Sequence, residues 1–142
     1  MAKLSGLIKV QKHRVDEKQK ILARLYREQE ELEQKKQELL EQIEKETQIA
    51  NQMDDDPITR LSFANFVDNT KTKIAKLDDD IDKVKMRVEL AQDKIREAFE
   101  ELKKTEIVER NRKTEEKKKI AKKVSQELDE IGIEGCRRKN SD

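Results

Sequence analysis

The side chains that most often carry catalysis or hold metals are scarce in this sequence of 142 residues. His13 is the only histidine and Cys136 the only thiol, so neither a zinc site with several Cys or His ligands nor a Cys–His pair close in sequence can be drawn. A disulfide within the chain is impossible for the same reason. Gly6, Gly132 and Gly135 are the only glycines, and none is arranged as a phosphate-cradling loop. The cluster Asp54, Asp55 and Asp56 suggests calcium, but the glycine and distal glutamate of an EF-hand loop are missing, and a helix cap explains it better. His13 reads as a surface residue. No catalytic residue, cofactor or metal is assigned, and enzymatic activity is not expected.

What remains is charge and apolar spacing. Arg110, Arg112, Lys113, Lys117, Lys118, Lys119, Lys122 and Lys123 stand against only Glu115 and Glu116. Such a run can follow a phosphate backbone by releasing counterions. It has no aromatic residues for stacking on bases, and Glu109–Lys113 and Glu115–Lys119 are ordinary helix pairs. A solvated helix face is the preferred account, and nucleic acid is not the expected partner.

The elements that position these residues follow from periodicity. Phe63, Val67, Thr70, Ile74, Leu77, Ile81, Val84, Val88, Ala91, Ile95, Ala98 and Leu102 recur at alternating steps of four and three. That spacing keeps one narrow stripe facing a partner helix in a left-handed supercoil. A second register runs through Leu4, Ile8, Gln11, Val15, Lys18, Leu22, Leu25, Gln29, Leu32, Lys36, Leu39, Ile43, Glu46, Ala50 and Met53. Charged residues make up 46% of the chain and there is no Trp, which excludes a core of two packed layers. Lys+Arg and Asp+Glu nearly cancel at 33 and 32, so the chain as a whole is not devoted to nucleic acid or an anionic membrane. No run approaches the ~20 apolar residues of a membrane span. The start, Met1 to Val10, lacks the pattern of a secretory signal, and a cytosolic location is expected.

The predicted fold is all-α, one coiled-coil domain over residues 1–142: a helix over about 4–53, a turn at about 54–57, a longer helix over about 57–131 and a flexible tail at 132–142. Asp56 caps the second helix and Pro57 takes its first position, where a missing N–H is harmless. The aspartates also oppose the negative end of the first helix and help to stop it. So short a turn forces an antiparallel hairpin, which sets Ile43 by Val67, Leu32 by Leu77 and Ile81, Val15 by Ile95, Ile8 by Leu102 and Leu4 by Ile107. The apolar seam of the second helix then lapses, over Glu109 to Lys119, where the first helix runs out of residues. At 1.5 Å per residue the paired part is a rod of about 75 Å with a projection of about 35 Å. Gly132 is the expected helix end.

Beyond the basic run a new stripe, Ile120, Val124, Leu128 and Ile131, has no partner in the chain and implies a docked protein. Near the tip, Phe63 and Phe66 cannot both enter a narrow seam, so one is expected to pack and the other to cap the tip or meet a partner. Phe99 is expected to cover Ala98 from the flank.

This arrangement, with the phrases Ala98-Phe99-Glu100-Glu101-Leu102-Lys103-Lys104 and Glu127-Leu128-Asp129-Glu130-Ile131, resembles the FliJ family of bacterial flagellar export proteins, with the YscO-type proteins of injectisomes as near relatives. The resemblance implies a coiled coil similar to the stalk of the F-type ATPase gamma subunit. It further implies a cytoplasmic component, peripheral to the inner-membrane export apparatus, that engages a hexameric export ATPase. The same resemblance implies a link to the cytoplasmic part of the export-gate membrane protein and an escort role for export chaperones. On this view Leu4, Leu7 and the distal stripe contact the ATPase. Two other readings remain: a coiled-coil arm that binds nucleic acid, and a homodimeric scaffold whose seam pairs between chains.

Spin labels at Ile8 and Leu102 separate the hairpin from the scaffold. A short distance within one molecule, unchanged on dilution with unlabelled chain, is expected; proximity only between molecules overturns the hairpin.

Overall fold

The computed structural model describes residues 3–53 and 56–140 and consists of two helices, α1 (Lys3–Gln52) and α2 (Pro57–Asn140). Both are the long helices that the heptads demand, and the fold is all-α over the described residues. By compactness the chain divides into two units, Arg14–Glu97 and the pair Met1–His13 with Ala98–Asp142.

In the unit Arg14–Glu97 the helices run in opposite directions, because positions further along α1 meet positions earlier along α2. Gln92 Nε2 donates to the Tyr26 hydroxyl at 2.7 Å, and Lys36 Nζ lies 2.6 Å from Asp78 Oδ1. Leu32 and Leu39 share a groove with Lys73 and Leu77, and Ala50 and Met53 share one with Ser62 and Phe63. Val15, Ile81, Val84 and Val88 are buried, and the other apolar seam positions of this unit are half-buried, except Met53, which is exposed. Two narrow stripes can hide only their own facing atoms, so burial is shallow along the whole contact.

Polar residues at seam positions are accommodated in different ways. Thr70 is buried, and its Oγ1 donates to the Phe66 carbonyl 2.8 Å away, four residues earlier in its own helix. Lys36 reaches out of the seam to Asp78, a half-exposed pair that contributes at most about 1 kcal/mol. Gln29 Nε2 donates to Glu33 Oε1 at 3.2 Å along its own helix.

In the other unit Leu102 and Gln11 are buried, and Leu4, Ile8 and Ala98 are half-buried. Gln11 Oε1 is buried with no hydrogen-bond partner among the described residues. The expected apposition of Leu4 with Ile107 is corrected here. Ile107 and Val108 are exposed, and the sheltered positions after Leu102 are Thr105, Glu106 and Glu109. Seam spacing, rather than the most apolar residue nearby, decides which side chain faces α1. From Arg110 to Lys139 every residue is exposed.

At the turn Asp56 caps α2 as its position suggests. Asp56 Oδ1 accepts from the Ile58 N–H at 3.2 Å, its Oδ2 from the Thr59 hydroxyl at 3.5 Å, and its carbonyl from the Arg60 N–H at 3.0 Å. Pro57 begins the helix. The helix-stopping part assigned to Asp54 and Asp55 lies outside the described residues.

The far end of α2 differs from expectation. The helix continues through Gly132 and Gly135 to Asn140. A glycine ends a helix by adopting positive φ, and no glycine here does so. Arg137, Arg138 and Lys139 in the last turn favour the negative end of the longer helix, which offsets the roughly 1 kcal/mol that each glycine costs.

Two substitutions test this account. Asp56→Ala removes the cap and should cost about 1 kcal/mol, lowering the urea midpoint, whereas Asp56→Asn should leave it nearly unchanged. Gln11→Leu removes a buried unpaired acceptor and should raise stability by about 1 kcal/mol in the same measurement; a fall shows that the amide is satisfied in solution.

Candidate protein-docking surfaces

The strongest candidate is the distal part of α2, within the unit Met1–His13 with Ala98–Asp142. Ile120, Val124, Leu128 and Ile131 are 63, 48, 62 and 66% exposed. Ile120 follows Leu102 by about five whole helical turns, so on a straight helix it lies on the side of α2 that Leu102 buries. The face that packs against α1 at Leu102 therefore reappears at Ile120 with nothing on it. Between the two lie Arg110, Arg112, Lys113, Lys117, Lys118 and Lys119, all exposed, with Lys122 and Lys123 inside the stripe's span. Lys113 Nζ is 3.9 Å from Glu109 Oε1. The other charges of the run are held out in solvent by an uninterrupted helix.

Leu4 and Leu7 belong to the same unit but do not adjoin the stripe. Leu4 is half-buried in the seam and Leu7 is 42% exposed. Shelter along α2 ends at Glu109, about 16 Å short of Ile120 at 1.5 Å per residue.

Phe63 and Phe66 belong to the unit Arg14–Glu97. Both are half-buried, so neither ring is fully packed into the seam. They line one groove with Ile49, Met53 and Ile58, and a groove at the end of a hairpin is wide enough to shelter two rings. Phe99 is 47% exposed and carries the Lys103 ammonium 5.2 Å from its ring centre, a cation–π contact between residues four apart on one helix.

Two apolar surfaces of the unit Arg14–Glu97 escaped the reading of the heptads because their exposed residues, Ile58 and Leu61 on one and Ile21 and Leu90 on the other, sit beside the seam. At the turn Ile58 and Leu61 are 76 and 64% exposed. On the flank, Ile21, Leu25, Leu90 and Ala91 form an apolar groove edged by Lys18, Arg87 and Lys94. The available signal was an apolar residue next to a seam position on each helix, Ile21 before Leu22 and Leu90 before Ala91, which widens the stripe to a face.

Among the described residues there is no cluster of three or more His, Cys, Asp or Glu side chains placed to hold a metal, and Cys136 is an exposed free thiol. No helix over the described residues is long and apolar enough to cross a membrane.

Comparison with curated proteins and with solved structures gave no match. The family model for the flagellar FliJ protein matches residues 1–141, which is nearly the whole chain and takes in both units and every surface described above. With that match over residues 1–141, the chain is a member of the flagellar FliJ family, a family of flagellar export components.

Proposed function

We propose that the chain is a coiled-coil stalk of the flagellar type III protein export apparatus. It engages a hexameric export ATPase through the distal end of α2, with Leu7 and the seam residue Leu4 near the contact. It links that ATPase to the cytoplasmic part of the export-gate membrane protein and escorts export chaperones. Its place is the cytoplasm, at the periphery of the inner-membrane export apparatus.

The observation that carries this reading is the exposed stripe Ile120, Val124, Leu128 and Ile131 on a continuous helix in a FliJ-family chain. A helix with one apolar face and a cationic approach suits insertion between subunits of a ring, because apolar burial supplies affinity and the charge speeds encounter. The flank groove around Ile21 and Leu90, and the turn with Phe63, Phe66 and Ile58, offer separate surfaces for a second partner. Simultaneous binding of two partners needs such separation.

Substituting Ile120, Val124 and Leu128 together by Ser leaves the buried seam intact, so helicity by circular dichroism should be unchanged. If each side chain contributes about 1 kcal/mol of contact, binding to the ATPase should weaken by roughly 100-fold, and stimulation of ring assembly and ATP turnover should be lost. Unchanged stimulation removes the proposal.

A further inference from the structure

The groove on the flank of the unit Arg14–Glu97 is apolar at its middle and cationic at both ends. Ile21 and Leu90, 48 and 60% exposed, form its walls, and the half-buried seam residues Leu25 and Ala91 lie beside them. On α2 the order is Arg87, Leu90, Ala91, Lys94: cation, apolar, apolar, cation at i, i+3, i+4 and i+7. Counting about 100° per residue, these four lie within about 100° of one another, so they share one face of the helix. On α1 Lys18 takes a seam position, where a charge costs stability, and its stem lines the groove. Because the helices run in opposite directions here, Lys18 stands at the Lys94 end. Among the described residues, no carboxylate lies within 4.0 Å of the Lys18, Arg87 or Lys94 charge. Glu17 and Asp93, adjacent in sequence to the two lysines, are paired instead with Lys20 and Arg96 at 3.3 and 3.6 Å.

We propose that this groove docks an acidic amphipathic helix of a partner protein, whose inner face reads carboxylate, apolar, apolar, carboxylate at i, i+3, i+4 and i+7. The distance between the cationic ends is two helical turns, about 10 Å, which a helix lying lengthwise matches with its own repeat. Its apolar pair covers Ile21 and Leu90 and completes the burial of Leu25 and Ala91, which the two-helix seam leaves half-covered. Its carboxylates meet Lys18 and Lys94 at one end and Arg87 at the other, giving three charges the counter-ions that the chain does not supply. A nucleic-acid backbone suits the site less well, because its phosphates would lie over an apolar middle. The proposal rests on the reading of this groove as a second partner's surface, and it supplies that partner's chemistry.

The test immobilises the full chain through its one thiol, Cys136, and pans it with displayed helical peptides. The peptides carry a fixed apolar pair at i+3 and i+4, and positions i and i+7 vary among Asp, Glu, Lys, Arg and Ser. Asp or Glu should be selected at both varied positions. The selected peptide should bind K18E/R87E/K94E at least about tenfold more weakly, and panning on that variant should select Lys or Arg instead. I21S/L90S should also weaken binding about tenfold or more, with helicity by circular dichroism unchanged because both side chains are exposed. Single-stranded DNA and vesicles of anionic phospholipid should not displace the peptide at physiological salt. Recovery of no helix, selection of basic or neutral ends, binding indifferent to I21S/L90S, or displacement by DNA or vesicles overturns the acidic helix. Stimulation of the export ATPase by I21S/L90S should equal the parent's. Its loss makes the ATPase the occupant and overturns the second-partner reading itself, whereas a failed panning with stimulation intact overturns the acidic helix alone.

Discussion

Everything in this molecule depends on a stripe one or two side chains wide finding another of the same width. Each helix offers the other a residue every three or four positions, and those residues shelter one another only if the two registers stay in phase over the whole contact. The apolar side chains that reach full burial are Val15, Ile81, Val84, Val88 and Leu102, and the rest of the seam is half-covered. Stability is therefore spread thinly over many layers. Phase is protected by specific devices: the cap at Asp56, the satisfied hydroxyl of Thr70, and the links Lys36–Asp78 and Gln92–Tyr26 that join one helix to the other.

The same narrowness explains why so many apolar residues stay on the surface. A two-helix seam is filled by the side chains of its own layers. It leaves flanks, a turn and an unpaired end. Each of these carries apolar residues in the open: Ile21 and Leu90, Ile58 and Leu61, and the stripe from Ile120 to Ile131.

The heptads were legible because position in a coiled coil is nearly a function of sequence alone. Among the predicted seam residues with described burial, Met53 is the one left exposed. Asp56 and Pro57 marked the start of α2 through local chemistry that needs no tertiary context. The end of α2 was misjudged because glycine is only permitted, not obliged, to leave the helical region, and the three basic residues beyond Gly135 supply a reason to continue. Ile107 misled in another way, since counting back from the turn fixes a level along the helix but not the side on which a residue lies. The flank groove needs residues from both helices brought to one side, and neither helix alone announces it.

Tyr26 is the only tyrosine and the chain has no tryptophan, so a single ring supplies nearly all of its intrinsic fluorescence. That ring's hydroxyl accepts a bond from Gln92 on the opposite helix. Its emission is thus tied to whether the strands are zipped, while peptide ellipticity reports whether they are wound. Parting and uncoiling, which most helical hairpins confound, become two separate optical signals in this one.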